Sequence, residues 1–184
     1  MINQTLRYGR AGKDSCGLEP CGSPRPHDGQ PGCGILAGVS EAVRVAEQLI
    51  DVFPREDAVA AVRDDQLRAR IERLEPLAWP DFDGAMVGSI PAARTDWKGV
   101  DGLVAAWADW LEPFDSHTTE IEEIRAAGND CVVIFLRQIA RPKGATAEVE
   151  NMGAAVLWTR GGKLSRIEFH IDRALAIRAA GLAE

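Results

Sequence analysis

The stretch TAEVENMGAAVLWTR-GG-KLSRIEFHI, residues 146–171, decides the fold. Two runs rich in β-branched and aromatic residues flank Gly161-Gly162, and a Gly-Gly pair supplies the two positive φ angles of a primed two-residue turn. The predicted hairpin pairs Arg160 with Lys163 and, counting outward, Ala154 with Phe169. Side chains alternate along a strand, so this register groups Met152, Ala154, Val156 and Trp158 with Ser165, Ile167, Phe169 and Ile171 as the buried face. The opposite face carries Asn151, Gly153, Ala155, Leu157, Leu164, Arg166, Glu168, His170 and Asp172. It is too polar for a dry core and is expected to meet water or another subunit.

A third strand, predicted over 130–140, precedes the hairpin, and a helix over 173–180 follows it, with Asp172 as N-cap and Gly181 as stop. Upstream, Ala42, Val45, Ala46, Leu49, Ile50 and Phe53 recur at helical spacing behind Ser40, which is placed to cap, and Pro54 ends the helix. A second helix is expected over 56–74, an edge strand over 77–83 because Pro80 removes a ladder donor, and a loop over 84–98. The third helix, 100–114, sets Leu103, Trp107, Trp110, Leu111 and Phe114 on one face. The segment 118–127 is strand-like, and Ile121 and Ile124 break its alternation, which predicts a bulge.

With 184 residues, one domain with a sizeable core is expected. A net charge of −7 with no local Lys/Arg cluster repels phosphate backbones and anionic lipid, so neither nucleic acid nor membrane is an expected partner. No apolar run reaches the roughly 20 residues that span a bilayer, and the N-terminus lacks a signal-peptide core. The expected location is the cytoplasm.

Residues 1–38 are rich in Gly, Pro and charge without sustained periodicity, and are read as a disordered or spurious segment ahead of a domain at 39–184. They contain Cys16, Cys21, Cys33 and His27, a Cys3His set on paper. The spacing lacks the knuckle gap of a zinc site, so no metal is assigned. Cys131 falls inside a strand pattern and reads as a small buried thiol.

The segment Trp97-Lys98-Gly99-Val100-Asp101-Gly102-Leu103, the run Gly128-Asn129-Asp130-Cys131-Val132-Val133, the turn Arg160-Gly161-Gly162-Lys163-Leu164 and the ending His170-Ile171-Asp172-Arg173-Ala174-Leu175 are similar to those of the nuclear-transport-factor-2-like superfamily, in particular its polyketide-cyclase (SnoaL-like) group. The resemblance covers about residues 40–182. It implies an α+β fold in which a curved antiparallel sheet wraps around three N-terminal helices as a cone-shaped α+β barrel, with a short C-terminal helix. It also implies a pocket on the concave side and no cofactor.

Enzymes of the superfamily keep carboxylates, His or Tyr in that pocket, where desolvation raises a carboxylate's basicity. Here the position of the isomerases' oxyanion-hole aspartate falls near Ala154, and Phe169 stands where epoxide hydrolases keep an acid. Of those hydrolases' Arg-x-Asp pair only Arg137 remains, and the sole tyrosine is Tyr8. One acid survives, Asp81, after Trp79 and Pro80, roughly where isomerases hold their general base; Asp83 could align equally well.

The resulting expectation is a small-molecule-binding domain whose ligand meets Trp79, Trp107, Phe114, Arg137, Ala154, Val156, Trp158, Ile167 and Phe169. The alternative is a cofactor-independent isomerase, cyclase or dehydratase acting by proton transfer on a small hydrophobic substrate, with Asp81 as its base. His170 is read as an exposed or interface residue. A homodimer formed through the polar outer face of the hairpin, with Arg166, Glu168 and His170, is expected.

Overall fold

The computed structural model describes residues 7–9, 40–53, 56–64, 66–88 and 94–183. The expectations for the rest of residues 1–38, including Cys16, Cys21, His27 and Cys33, and for Pro54 as a helix stop, lie outside the described residues.

The first helix, α1 (Glu41–Ile50), is capped by the Ser40 hydroxyl, which accepts from the Val43 amide at 3.2 Å. Its buried side, Ala42, Val43, Val45, Ala46, Leu49 and Ile50, follows the spacing read from the sequence. The expected second helix is two short ones, α2 (Ala58–Arg63) and α3 (Gln66–Glu72), so four helices rather than three precede the main strands among the described residues. A 3-10 turn (Glu75–Leu77) leads into β2 (Ala78–Val87), and a hairpin partner β3 (Arg94–Lys98) leads into α4 (Gly99–Leu111). Four long strands and a helix complete the chain: β4 (Phe114–Ala126), β5 (Cys131–Pro142), β6 (Val149–Arg160), β7 (Lys163–His170) and α5 (Arg173–Ala179).

The sheet is curved and unclosed, and its order is β1-β4-β5-β6-β7-β2-β3, where β1 is the short segment Arg7–Gly9. It is mixed rather than antiparallel, because β2 runs parallel to β7 and β1 parallel to β4. Nor is β2 an edge. Pro80 is accommodated because the β2–β7 register jumps from Ala78↔Leu164 to Asp83↔Arg166, leaving the proline in a stretch with no regular partner. The segment expected as a loop, 84–98, holds the second half of β2 and all of β3. Within β2, Gly84 lies so close to β7 and to the ring of Trp97 that an added Cβ would sit 2.0 Å from the Ile167 carbonyl oxygen.

The bulge anticipated in β4 is present, between Ile121 and Glu123. A second one was not anticipated. At the turn, Gly161 (φ 56°) and Gly162 (φ 74°) pair Arg160 with Lys163 and Thr159 with Leu164 as expected, but the next pair is Trp158↔Arg166. Ser165 is the extra residue, and its hydroxyl donates to the Trp158 carbonyl at 3.0 Å. One inserted residue reverses the facing of everything beyond it. Ile167 and Phe169 therefore share a face with Leu157 and Ala155, while Ala154, Val156 and Trp158 lie on the other face with Glu168 and His170.

Two cores result. The larger lies between the concave face and helices α1 to α4, and includes Leu49, Leu74, Leu103, Trp107, Ile124, Leu157, Leu164 and Ile167. The smaller lies on the convex face under α5, where Ala176 meets Cys131, Val133, Phe135, Ala154 and Val156. Helix α5 is held by Asp172, which accepts from the amides of Ala174 and Leu175 at 2.8 and 3.3 Å.

Candidate functional site

The concave core is not fully closed. A cavity of about 60 Å³ lies between α1, α2 and α4 on one side and β4 to β7 on the other. Helix α1 and the turn after it bring Leu49, Ile50 and Phe53, α2 brings Ala58 and α4 brings Trp107. The strands bring Thr119, Ile121, Ile134, Leu136, Ala155, Leu157, Ile167 and Phe169. Each strand residue points inward because alternation, corrected by the bulges at Glu122 and Ser165, leaves it on the concave face.

Three rings meet at one side of the cavity. Trp107 and Phe169 stand edge to face at 5.3 Å, Phe53 and Phe169 at 5.8 Å, and Phe53 tilts against Trp107 at 5.9 Å. Among the described residues only Thr119 and the indole of Trp107 contribute polar side-chain atoms, and none of the lining is titratable. A second void of about 10 Å³, room for about one water, adjoins it, sharing Trp107, Leu136 and Phe169 and reaching Trp110, Gln138 and His170.

Charge is concentrated on the convex side instead. Glu168, only 7% exposed, accepts from Arg94 at 2.9 Å and from Arg166 at 2.7 Å through one oxygen, while the other faces His170 Nε2 at 3.2 Å. The bond to His170, followed by those to Arg166 and Arg94, outweighs burial and brings its pKa down to about 2. Arg166 also reaches Asp83 at 2.7 Å. Such a carboxylate is a fixed anion and a poor base.

His117 lies deep on the helix side: it is 2% exposed, and its backbone amide donates to Asp57 at 3.0 Å. Burial lowers its pKa, against a smaller opposing pull from Asp57, and keeps it neutral.

Of the residues singled out from the sequence, Trp107, Ile167 and Phe169 line the cavity. Phe114 packs against the same core beside His117, with ring centroids 5.9 Å apart. Val156 and Trp158 do not line it, since the Ser165 bulge turns them to the convex face; Ala154, turned the same way, borders only the smaller void. Arg137 is likewise on the convex side, paired with Glu120 at 3.0 Å and Glu150 at 2.9 Å. Trp79 donates its Nε1–H to the Arg160 carbonyl at 2.7 Å and lies under that guanidinium.

Asp81 is outside the cavity: its side chain is 76% exposed and its nearest cation is Arg160 at 3.5 Å. In the 84–98 segment Arg94 pairs with Asp96 and with Glu168, and neither Arg94 nor Asp96 lines the cavity. His170 is not exposed but buried, against Glu168.

The sequence reading missed Leu49, Ile50, Phe53, Ile121, Leu136, Ala155 and Leu157 as lining. For the first three the signal was present, because they form the apolar stripe of the first helix. Among the described residues no cluster of three or more His, Cys, Asp or Glu side chains is arranged to hold a metal. No described helix is long and apolar enough to cross a membrane.

No protein-family model matches the chain, and no curated protein matches it in sequence. Solved structures do. A protein from Jannaschia sp. CCS1 described as a SnoaL-like polyketide cyclase superposes with a TM-score of 0.52 at 17% identity, covering 85% of this chain and 99% of its own. TerC, co-crystallised with polyporic acid, gives 0.52 at 16% identity, covering 77% and 99%. An NTF2-like protein from Anabaena variabilis gives 0.52 at 14%, covering 74% and 93%. At such identities the likeness shows the fold: the chain has the nuclear-transport-factor-2-like α+β architecture of SnoaL-like proteins.

Proposed function

We propose that the protein binds a small, uncharged, mostly hydrocarbon molecule in the concave cavity and does not transform it by proton transfer. One observation carries this reading: the cavity is walled by aliphatic and aromatic side chains, and among the described residues no acid, base or cation reaches it. A proton-transfer enzyme needs a titratable group within hydrogen-bond reach of its substrate. Asp81, the base of the alternative reading, is a solvated surface carboxylate on the far side of the Trp79–Arg160 pair. That TerC was co-crystallised with polyporic acid is in keeping with a ligand in such a fold.

At about 60 Å³ the cavity is less than half the ~150 Å³ that holds benzene in an engineered apolar site. A ligand of that size enters by displacing Phe53, which is half-buried at the end of α1. The test uses cyclohexanone in D₂O. The protein is expected to be stabilised against heat by the ketone and to leave its α-hydrogens exchanging at the buffer rate. Accelerated exchange that disappears in Asp81→Asn would establish the isomerase-type alternative instead.

The sheet's convex face is the proposed surface for a homodimer. Met152, 40% exposed there beside the Arg137 ion pairs, supports this. Glu168 and His170 are buried within one chain, so Arg166 alone of the expected hairpin trio keeps a partly exposed side chain for a partner. Sedimentation as a concentration-independent monomer at micromolar protein would oppose it. A reducing, cytoplasmic setting is proposed on the unpaired thiol of Cys131.

A further inference from the structure

Two buried polar atoms on neighbouring side chains lack a hydrogen-bond partner, and one of them, on Trp107, belongs to a residue that lines the cavity. Trp107, 6% exposed, lines both the cavity and the adjoining void, yet its Nε1–H meets no acceptor. His117 stands edge-on to the same indole, with centroids 6.4 Å apart, and its Nδ1 is also unpartnered. Thr119, two residues along the same face of β4, places the only hydroxyl among the described lining residues. The polar side-chain atoms of this otherwise hydrocarbon lining thus come from α4 and β4. Buried donors without partners are rare, because each forfeits its bond to water.

We propose that this part of the lining recognises a single neutral oxygen on the ligand, with Trp107 as the donor, so that the molecule bound is a small cyclic or aromatic ketone rather than a plain hydrocarbon, an acid or an amine. This rests on the concave cavity being the binding site. The indole N–H donates only, which requires an acceptor. A carboxylate is disfavoured because no cation among the described residues reaches the lining, and an ammonium group because no anion among them does. The rings of Phe53 and Phe169, which line the cavity beside Trp107, pack the hydrocarbon body.

The test compares cyclohexanone with methylenecyclohexane, which has the same ring and shape but carries =CH₂ in place of =O. Both are titrated into ¹⁵N-labelled full-length protein while the Trp107 indole resonance, assigned through its contacts to Phe169, is followed. The ketone is expected to bind about tenfold more tightly, the scale of one hydrogen bond, and to move the indole proton downfield. In Trp107→Phe the two probes should bind alike. The wild-type arm stands on its own if that variant fails to fold. Equal affinities with an unmoved indole proton would overturn the assignment of Trp107 while leaving the apolar cavity as a binding site. Binding of neither probe would overturn both.

Discussion

Strand β7 shows two ways of burying side chains within four residues. Ile167 and Phe169 point to the helices, where hydrocarbon packs against hydrocarbon and space is left over. Glu168 and His170 point the other way into a network in which both carboxylate oxygens are engaged. The convex face is thus a fixed surface on which the Glu168 carboxylate and its partners specify one arrangement. The concave face is non-directional and underpacked, which is a cost for a structural core and a requirement for a site that admits a ligand. Stability is expected to depend on the first and binding on the second.

The sharpest break in that contrast comes from Glu168→Ala. It strands His170 and two arginines, and should cost about 2–3 kcal/mol in urea denaturation, below the 3–5 of a fully buried pair because Arg94 and Arg166 are each about one-third exposed. A loss under about 0.5 kcal/mol would mean that the network adds nothing. Next, adjacent alanines separate the faces. Ala154→Leu forces bulk beneath α5 at a site 1% exposed and should cost about 2 kcal/mol, whereas Ala155→Leu grows into the cavity and should change stability by less than about 1. Equal costs would contradict the register set by Ser165.

The smallest effects are in pH. Glu168 is depressed in the folded chain, so its contribution is full above the ordinary carboxylate range and is lost as pH falls from about 4.5 towards 2. His117 has the opposite consequence: its pKa is lowered, so the unfolded chain takes up the proton first and stability declines as pH drops below about 6.5. Thermal melts from pH 8 to 5 should show that decline, and it should be absent in His117→Phe.

Much of the architecture could be read from residues whose local signals agree with their tertiary setting. Ser40 and Asp172 cap as expected, the α1 stripe is the buried side, and Gly161-Gly162 makes the turn. What escaped was parity and pairing. A serine between Leu164 and Arg166 carries no mark of being an extra residue, yet it turned three of the expected lining residues, Ala154, Val156 and Trp158, to the wrong face. Strand β3 was missed because only Trp97 of its five residues is buried, leaving no alternation to detect. Asp81 drew attention through its neighbours Trp79 and Pro80, but the irregular β2–β7 register leaves it in solvent. The Glu168 network joins residues 94, 166 and 168, and no local pattern brings together side chains so far apart in sequence.

The most direct measurement is a benzene titration followed by methyl resonances, comparing wild type with Ala155→Leu. Shifts are expected at Leu49, Ile121 and Ile167 around the cavity, with Val133 and Val156 on the convex face unmoved, and the response should vanish in the variant. Shifts at Val133 and Val156, or an undiminished response in Ala155→Leu, would contradict the concave cavity as the binding site.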